Sequence, residues 1–69
     1  MRNVNLNSSA ISSVNYDDTE TLQVTFRSGN IYEFYSVPQN VVENLLSSES
    51  AGRFFVNNIN GRFTSRRVG

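Results

Sequence analysis

The sequence of 69 residues contains no cysteine, no histidine, no lysine and no tryptophan. Without cysteine the chain can form neither a disulfide nor a cysteine-based zinc site. Without histidine, cysteine and lysine it also lacks the nucleophile pairs of Ser-His and Cys-His enzymes, Schiff-base chemistry and the usual metal centres. We therefore expect a non-enzymatic protein with no catalytic residue, no metal and no cofactor.

Long hydrophobic runs are also missing. Residues 1–6 contain no apolar stretch that would suffice for a signal peptide or a membrane span, so we expect a cytoplasmic protein without a membrane partner. Sixty-nine residues predict a single domain over 1–69. A domain of this size buries only about 60% of the surface that its unfolded chain exposes. Because that core is thin, a homo-oligomer is one way in which the fold could gain stability.

The formal net charge is zero, but the charge is unevenly distributed along the chain. Residues 1–50 contain two arginines and six acids, a net charge of −4, whereas residues 51–69 contain four arginines and no acid, a net charge of +4. A basic end on a neutral chain can bind a local anion, but the acidic part opposes the long-range attraction of a polyanion.

Alternating apolar and polar residues predict a three-stranded antiparallel meander. The clearest strand is 21–27, the next is 31–36, and 10–16 is a weaker strand whose apolar spacing indicates a bulge. The segment 17–20, which contains three acids, joins strand 10–16 to strand 21–27. We interpret it as a solvated turn because it lacks the ligand spacing of a calcium loop. The remaining stretch, 28–30, is a turn signal between the second and third strands.

The length of the second turn determines which side chains face each other. A three-residue loop with Gly29 or Asn30 at positive φ would place Phe26 opposite Tyr32. In the same register Val24 would lie opposite Phe34, so that the aromatic and branched side chains gather on one face. We therefore predict the three-residue loop rather than a two-residue one.

The second half of the chain has the period of helices. A helix begins near Pro38 and presents an apolar stripe, and a second begins at Ser50, whose hydroxyl can cap it, and ends at Asn60-Gly61. The tail 62–68 alternates loosely and could form an edge strand. The sum is an α+β domain in which a three-stranded meander is followed by two short helices that cover one face.

A spaced set of residues covers nearly the whole chain: Ser8-Ser9-x-Ile11, Tyr16-Asp17, Leu22-x-Val24-x-Phe26-x-x-Gly29, Tyr32-x-Phe34, Val37-Pro38, Leu45, Ser50-x-Gly52-Arg53-Phe54-Phe55, Ile59, Phe63 and Arg66-Arg67. In order and spacing this pattern resembles the KTSC domain family. The resemblance implies a protein of the kind that occurs alone in bacteria and phages and at the end of some lysyl-tRNA synthetases. For that family RNA binding has been suggested. Phe34 replaces the second tyrosine of the family's Tyr-x-Tyr, so no role of a hydroxyl at this position carries over.

Two groups of residues are candidates for binding an anion. If Ser50 opens a helix, the free amides and the helix dipole favour an anion, Gly52 allows a ligand to approach the backbone, and Arg53 adds a bidentate donor. In an extended tail, Arg66 and Arg67 point to opposite faces, while Arg62 and Arg66 share one and could flank a site with Arg53. The alternatives are an ordinary helix cap and a solubilising tail.

The aromatic residues offer a further candidate. Most of them must form the core of so small a domain, and this includes Tyr32 and Phe34. Tyr35 lies on the opposite face of its strand beside Ile31, so it is the better candidate for stacking on a base, or for an apolar contact between copies.

Three functions remain open. We expect binding of a compact phosphorylated nucleotide, with the sequestration of a nucleotide second messenger as one use, because a small charged ligand needs only a few convergent donors. The alternatives are an RNA-binding module, which would rest on several phosphate contacts, and a protein-interaction or oligomerisation module.

Overall fold

The computed structural model describes residues 2–6 and 8–69, which form an antiparallel sheet and two helices. The elements in chain order are β1 (Arg2–Asn5), β2 (Ile11–Tyr16), β3 (Leu22–Phe26), β4 (Ile31–Phe34), α1 (Gln39–Ser47), α2 (Ala51–Asn58) and β5 (Ser65–Arg67). The five strands lie in the order β1-β2-β3-β4-β5, so each strand pairs with its neighbour in the chain. No helix in the described part of the chain is long and apolar enough to cross a membrane.

The predicted α+β class with two helices is confirmed, but the predicted three-stranded meander is too small. The structure adds β1 at one edge, where Val4 pairs with Val14, and the tail forms β5 at the other edge. The sequence does not indicate β1, because Val4 is the only apolar residue of this strand and lies between Asn3 and Asn5. Because the segment has no alternating apolar residues, its strand conformation depends on backbone pairing with β2.

The hairpin between β3 and β4 has the predicted faces but not the predicted register. Its loop has three residues, 27–29, and Gly29 adopts a φ of +99°, as expected. Val24, however, pairs with Tyr32 rather than with Phe34, a shift of two residues. Because the shift is even, every side chain stays on its predicted face. Phe26 faces Tyr32 diagonally, with ring centroids 5.8 Å apart in an edge-to-face arrangement.

The reason for the shift is the position of the glycine in the turn. The Gly29 amide donates to the Phe26 carbonyl at 2.9 Å, and the Phe26 amide donates to the Asn30 carbonyl at 2.9 Å. The loop therefore covers residues 27–29 instead of the predicted 28–30. Glycine is its last residue, where positive φ is required.

The core lies between one face of the sheet and the two helices. Cross-strand neighbours from β1 to β4 form an inner row on the helix side of the sheet, Val4, Val14, Val24 and Tyr32. Among the described residues the buried set is wholly hydrophobic: Ile11, Val14, Leu22, Val24, Phe34, Val37, Val42, Leu45, Ala51, Phe55 and Ile59. The apolar stripe predicted for the first helix is thus confirmed, since Val42 and Leu45 of α1 lie in this core. From the second helix Phe55 and, at its C-cap, Ile59 join them.

Candidate functional site

The first predicted anion site is the start of α2. The Ser50 hydroxyl accepts a hydrogen bond from the Arg53 amide at 3.4 Å, which confirms the predicted cap. Arg53 is exposed and borders a groove of about 310 Å³ that also contains Ser50 and Glu49. The Glu49 carboxylate at the beginning of the helix counteracts the attraction that the helix dipole offers to an anion. Anion binding at this helix start stays a prediction.

Gly52 lies against the connection between β1 and β2. A Cβ at this position would be 3.4 Å from the Cβ of Ala10 and 3.6 Å from the hydroxyl oxygen of Ser8. The glycine therefore faces protein at van der Waals distance on the side where a side chain would project. On this side of the glycine the space is closed by Ala10 and Ser8, which leaves no room there for a ligand.

Replacing Gly52 with alanine is expected to stabilise the fold by about 0.5–1 kcal/mol, because alanine loses less backbone entropy in a helix and its methyl group fits the gap. Gly52→Val should destabilise instead, since its branches extend toward Ala10. Urea unfolding followed by far-UV circular dichroism measures both. A loss of stability in Gly52→Ala would show that the gap next to Ala10 and Ser8 cannot take a methyl group.

The second predicted group does not gather at one site. Arg66 pairs across the strands with Glu33, so it lies on the sheet face opposite the helices, where Tyr35 donates to Glu33 Oε1 at 3.0 Å. Arg53 belongs to α2 on the other side of the sheet. The expectation that Arg53 and Arg66 flank one site is therefore wrong, because the alternation of β5 sends Arg66 to the uncovered face.

The uncovered face is polar around Glu33, which lies between Tyr35 and Arg66. Burial and the hydrogen bond to Glu33 raise the pKa of the Tyr35 hydroxyl, and the nearby Arg66 cation partly opposes this rise. Tyr35 and Ile31 are half-buried, so the apolar patch that they present is smaller than the sequence indicates. Base stacking on Tyr35 and self-association through this face stay predictions.

The acidic turn before β3 is organised by its own hydrogen bonds. Asp17 Oδ1 accepts from the hydroxyl of Thr19 at 2.6 Å, the amide of Thr19 at 2.9 Å and the amide of Thr21 at 3.2 Å. These bonds lower the pKa of Asp17, and the bond from the Thr19 hydroxyl has the largest effect. Among the described residues no group of three or more acids or other metal-binding side chains gathers at one place. The turn is thus the local structure that the sequence predicts.

Arg67 lies on the helix side of the sheet, because it pairs with Tyr32. Its Nε donates to the main-chain oxygen of Gly69 at 3.1 Å, and a terminal nitrogen donates to Asn30 Oδ1 at 3.2 Å. A guanidinium carries five N–H donors, so donors remain for a ligand while these two bonds hold the group in place. Arg62 is exposed in the turn between α2 and β5, two residues after Asn60.

Tyr32, the cross-strand neighbour of Arg67, lines an aromatic cleft that the sequence does not predict. The aromatic cleft has a volume of about 280 Å³ and is lined by Phe26, Tyr32, Phe34, Phe55, Asn60 and Ser65. The alternation places the three strand aromatics on one face, but it also predicts that they are core. Whether an aromatic ring is covered or lines a cleft depends on where α2 and the following turn lie above the sheet edge, and this follows from tertiary packing.

The rings of the aromatic cleft are arranged in two directions. The ring planes of Tyr32 and Phe34 make an angle of 30° with each other, and their centroids are 6.4 Å apart. The ring of Phe55 stands nearly perpendicular to those of Phe34 and Phe26, with a centroid distance of 5.3 Å in each pair. Phe34 and Phe55 are buried, while Phe26 and Tyr32 are only half-buried. The accessible aromatic surface of the cleft therefore belongs to Phe26 and Tyr32.

Comparison with known proteins identifies relatives of similar length, one of them with a solved structure. The crystal structure of a KTSC domain protein from Yersinia pestis superimposes with a TM-score of 0.93 at 36% identity, covering 99% of this chain and 97% of that one. An uncharacterized protein of Stutzerimonas stutzeri is 43% identical over 56 residues, which are 80% of this chain and 79% of the relative.

A longer relative contains a similar segment. A lysine–tRNA ligase of Nostoc punctiforme is 39% identical over 56 residues, which span 80% of this chain but only 10% of the ligase. The model of the KTSC domain matches residues 7–63. With a family model that matches most of its length and a close structural relative of the same family, the chain belongs to the KTSC domain family.

Proposed function

We propose that this protein binds a compact phosphorylated nucleotide and catalyses no reaction. The observation that supports this best is the position of Arg67, whose guanidinium is held by two hydrogen bonds, directly across the strands from Tyr32 of the aromatic cleft. Arginine binds phosphate oxygens through two parallel hydrogen bonds, and small-molecule sites combine an apolar cavity with a few polar groups. Such a site needs neither a broad basic surface nor a net positive charge.

Further support comes from the surroundings of the aromatic cleft. Arg62 follows Asn60, which lines the cleft, by two residues and is exposed, so a second cation is close in the chain to the same cavity. Arg67 and Arg62 are two of the arginines that the sequence predicts for the site. Ser50, Gly52 and Arg53 belong to the separate helix start. A cytoplasmic protein of this kind could sequester a nucleotide second messenger.

Thermal unfolding in the presence of mono-, di- and cyclic nucleotides tests the proposal. A ligand at 100 times its dissociation constant stabilises the folded state by about 2.7 kcal/mol, which corresponds to a rise in Tm of roughly 10 °C or more for a domain of this size. No rise with any nucleotide, at concentrations far above a micromolar Kd, would contradict the proposed function.

A matched pair of variants tests the place of the phosphate. Arg67→Gln should weaken binding of the stabilising nucleotide about 10- to 100-fold, because it removes charged hydrogen bonds. Arg53→Gln, the same change at another exposed position, should leave the Kd unchanged. Isothermal titration calorimetry measures both. Equal losses in the two variants would mean that binding follows the overall charge and not the cation at the aromatic cleft.

RNA binding is the second candidate, and the observation that favours it is the similar segment in a lysine–tRNA ligase. If this segment contacts tRNA there, the free-standing chain could do the same. Titration with a tRNA transcript at several salt concentrations distinguishes the two candidates. Affinity for RNA should fall steeply with salt, in proportion to the number of phosphate contacts, whereas binding of a mononucleotide should change far less. No binding of tRNA at low salt removes this candidate.

A further inference from the structure

We propose that the aromatic cleft is a nucleobase pocket, in which the base of the ligand lies on the ring of Tyr32 while its phosphate reaches Arg67. This inference rests on the proposed function, because it assigns the two ends of the same ligand to two parts of one site. The sequence predicts Tyr32 to be core and favours Tyr35 for stacking. The structure supports the reverse assignment.

The burial of the rings points to Tyr32. Phe34 and Phe55 are 3% and 6% exposed, so neither offers a free face. Tyr32 and Phe26 remain half-buried at the cleft, and the Phe26 ring stands edge-on to Tyr32 at 83°. A flat ligand that lies on the Tyr32 ring would therefore have the Phe26 ring beside it rather than below it. Aromatic rings favour such combinations of offset stacking and edge contacts.

The pairing of β4 with β5 sets the direction of the ligand. Tyr32 is the cross-strand neighbour of Arg67, and Phe34 is the neighbour of Ser65. Arg67, Tyr32, Phe34 and Ser65 share the helix side of the sheet, since Arg66 between them points to the other side. The backbones of Tyr32 and Arg67 are therefore one strand spacing apart, and a base on the Tyr32 ring would have the Arg67 side chain on the neighbouring strand. Strands in a sheet are about 4.8 Å apart, which is within the reach of a sugar and one phosphate.

The polar rim of the aromatic cleft fits the edge of a base. Asn60 provides an amide that can donate and accept hydrogen bonds, and Ser65 provides a hydroxyl that can do either. Side-chain amides and hydroxyls are groups that read base edges in nucleic-acid complexes. A purely apolar occupant, such as a lipid chain or a leucine side chain, would form no hydrogen bonds with these two groups.

Stacking is sequence-tolerant and contributes a substantial part of the affinity for each base. The pocket should therefore accept a nucleoside without phosphate, although more weakly than the nucleotide. Loss of the ring at position 32 should weaken nucleoside and nucleotide by the same factor, whereas loss of the cation at position 67 should weaken only the nucleotide.

The experiment compares adenosine, guanosine, cytidine and uridine with their 5′-monophosphates by NMR titration and calorimetry. In the wild type we expect ring-current shifts at the ring protons of Phe26 and Tyr32 and none at Tyr35. Tyr32→Leu should weaken binding of the best base about 5- to 150-fold in both forms. Tyr32→Phe keeps the ring and should bind nearly as the wild type does, which separates loss of stacking from loss of fold.

A matched control comes from the same strand. Tyr35→Leu makes the same change on the uncovered face and should leave both affinities as they are. If Tyr32→Leu, folded by circular dichroism, binds the nucleotides normally while Arg67→Gln does not, the base pocket is refuted and the proposed function stands. If nucleosides shift the Phe26 and Tyr32 resonances but phosphate adds no affinity, the pocket stands and the proposed function fails. If neither form binds, both are refuted.

Discussion

Replacing Leu45 with alanine is expected to remove about 2–5 kcal/mol of stability, the largest effect of any single change that we predict. Leu45 is fully buried in the last turn of α1 and belongs to the core that joins the helices to the sheet. Domains of this kind have a free energy of unfolding of about 0.05–0.15 kcal/mol per residue. The substitution should therefore consume a large share of the total stability and leave a visible unfolded fraction at 37 °C.

Urea unfolding followed by far-UV circular dichroism gives the free energies of unfolding. Val56→Ala is the matched control, because Val56 lies on α2 with 61% of its surface exposed. Its truncation should change the free energy of unfolding by less than about 0.5 kcal/mol. If Leu45→Ala costs no more than Val56→Ala, the packing of α1 on the sheet cannot be as the structure describes.

Replacing Gly29 with valine should cost more than about 1–2 kcal/mol, the second largest effect expected for a single position. The turn requires a φ of +99° here, and a Cβ raises the energy of such a conformation by about that amount, more so when it is branched. Nothing lies within 4 Å of the position where the Cβ would be, so the cost arises from the backbone and not from a clash.

The control is one residue away. Ser28→Val introduces the same side chain at an exposed turn position whose φ is not positive, so its effect should be far smaller. Equal unfolding free energies for the two variants would contradict the turn geometry, and hence the hairpin register that depends on it. A hydrogen-exchange measurement would show faster exchange of the Phe26 amide in Gly29→Val, since that amide closes the hairpin.

The hairpin shows how far local pattern determines this fold. The alternation of Leu22, Val24 and Phe26 fixes which side of β3 is buried, and the glycine in the turn fixes a loop of three residues. The exact pairing depends on whether the loop begins at residue 27 or 28, and both choices keep the same faces. The period of two therefore leaves the register undecided, and the position of the residue with positive φ decides it.

The arginines show the limit of local pattern for the site. The sequence correctly predicts that Arg66 and Arg67 point to opposite faces, because alternation is a property of a single strand. It does not indicate which face each one takes, since that depends on the pairing of β5 with β4. The strand pairing places Arg66 beside Glu33 and Arg67 beside Tyr32, and only the second of these neighbours lines the aromatic cleft.

The sequence contains no cysteine, histidine or lysine, and this absence excludes more functions than any other feature of its composition. Arginine and the aromatic side chains are therefore its distinctive chemical groups. By itself the sequence determined the α+β class, the two amphipathic helices, the cap at Ser50 and the face of each residue in β3 and β4, because these depend on neighbours a few positions away. Only the tertiary structure decided that β1 joins the sheet and that an open cleft remains between four aromatic rings. These features depend on how segments far apart in the chain pack together.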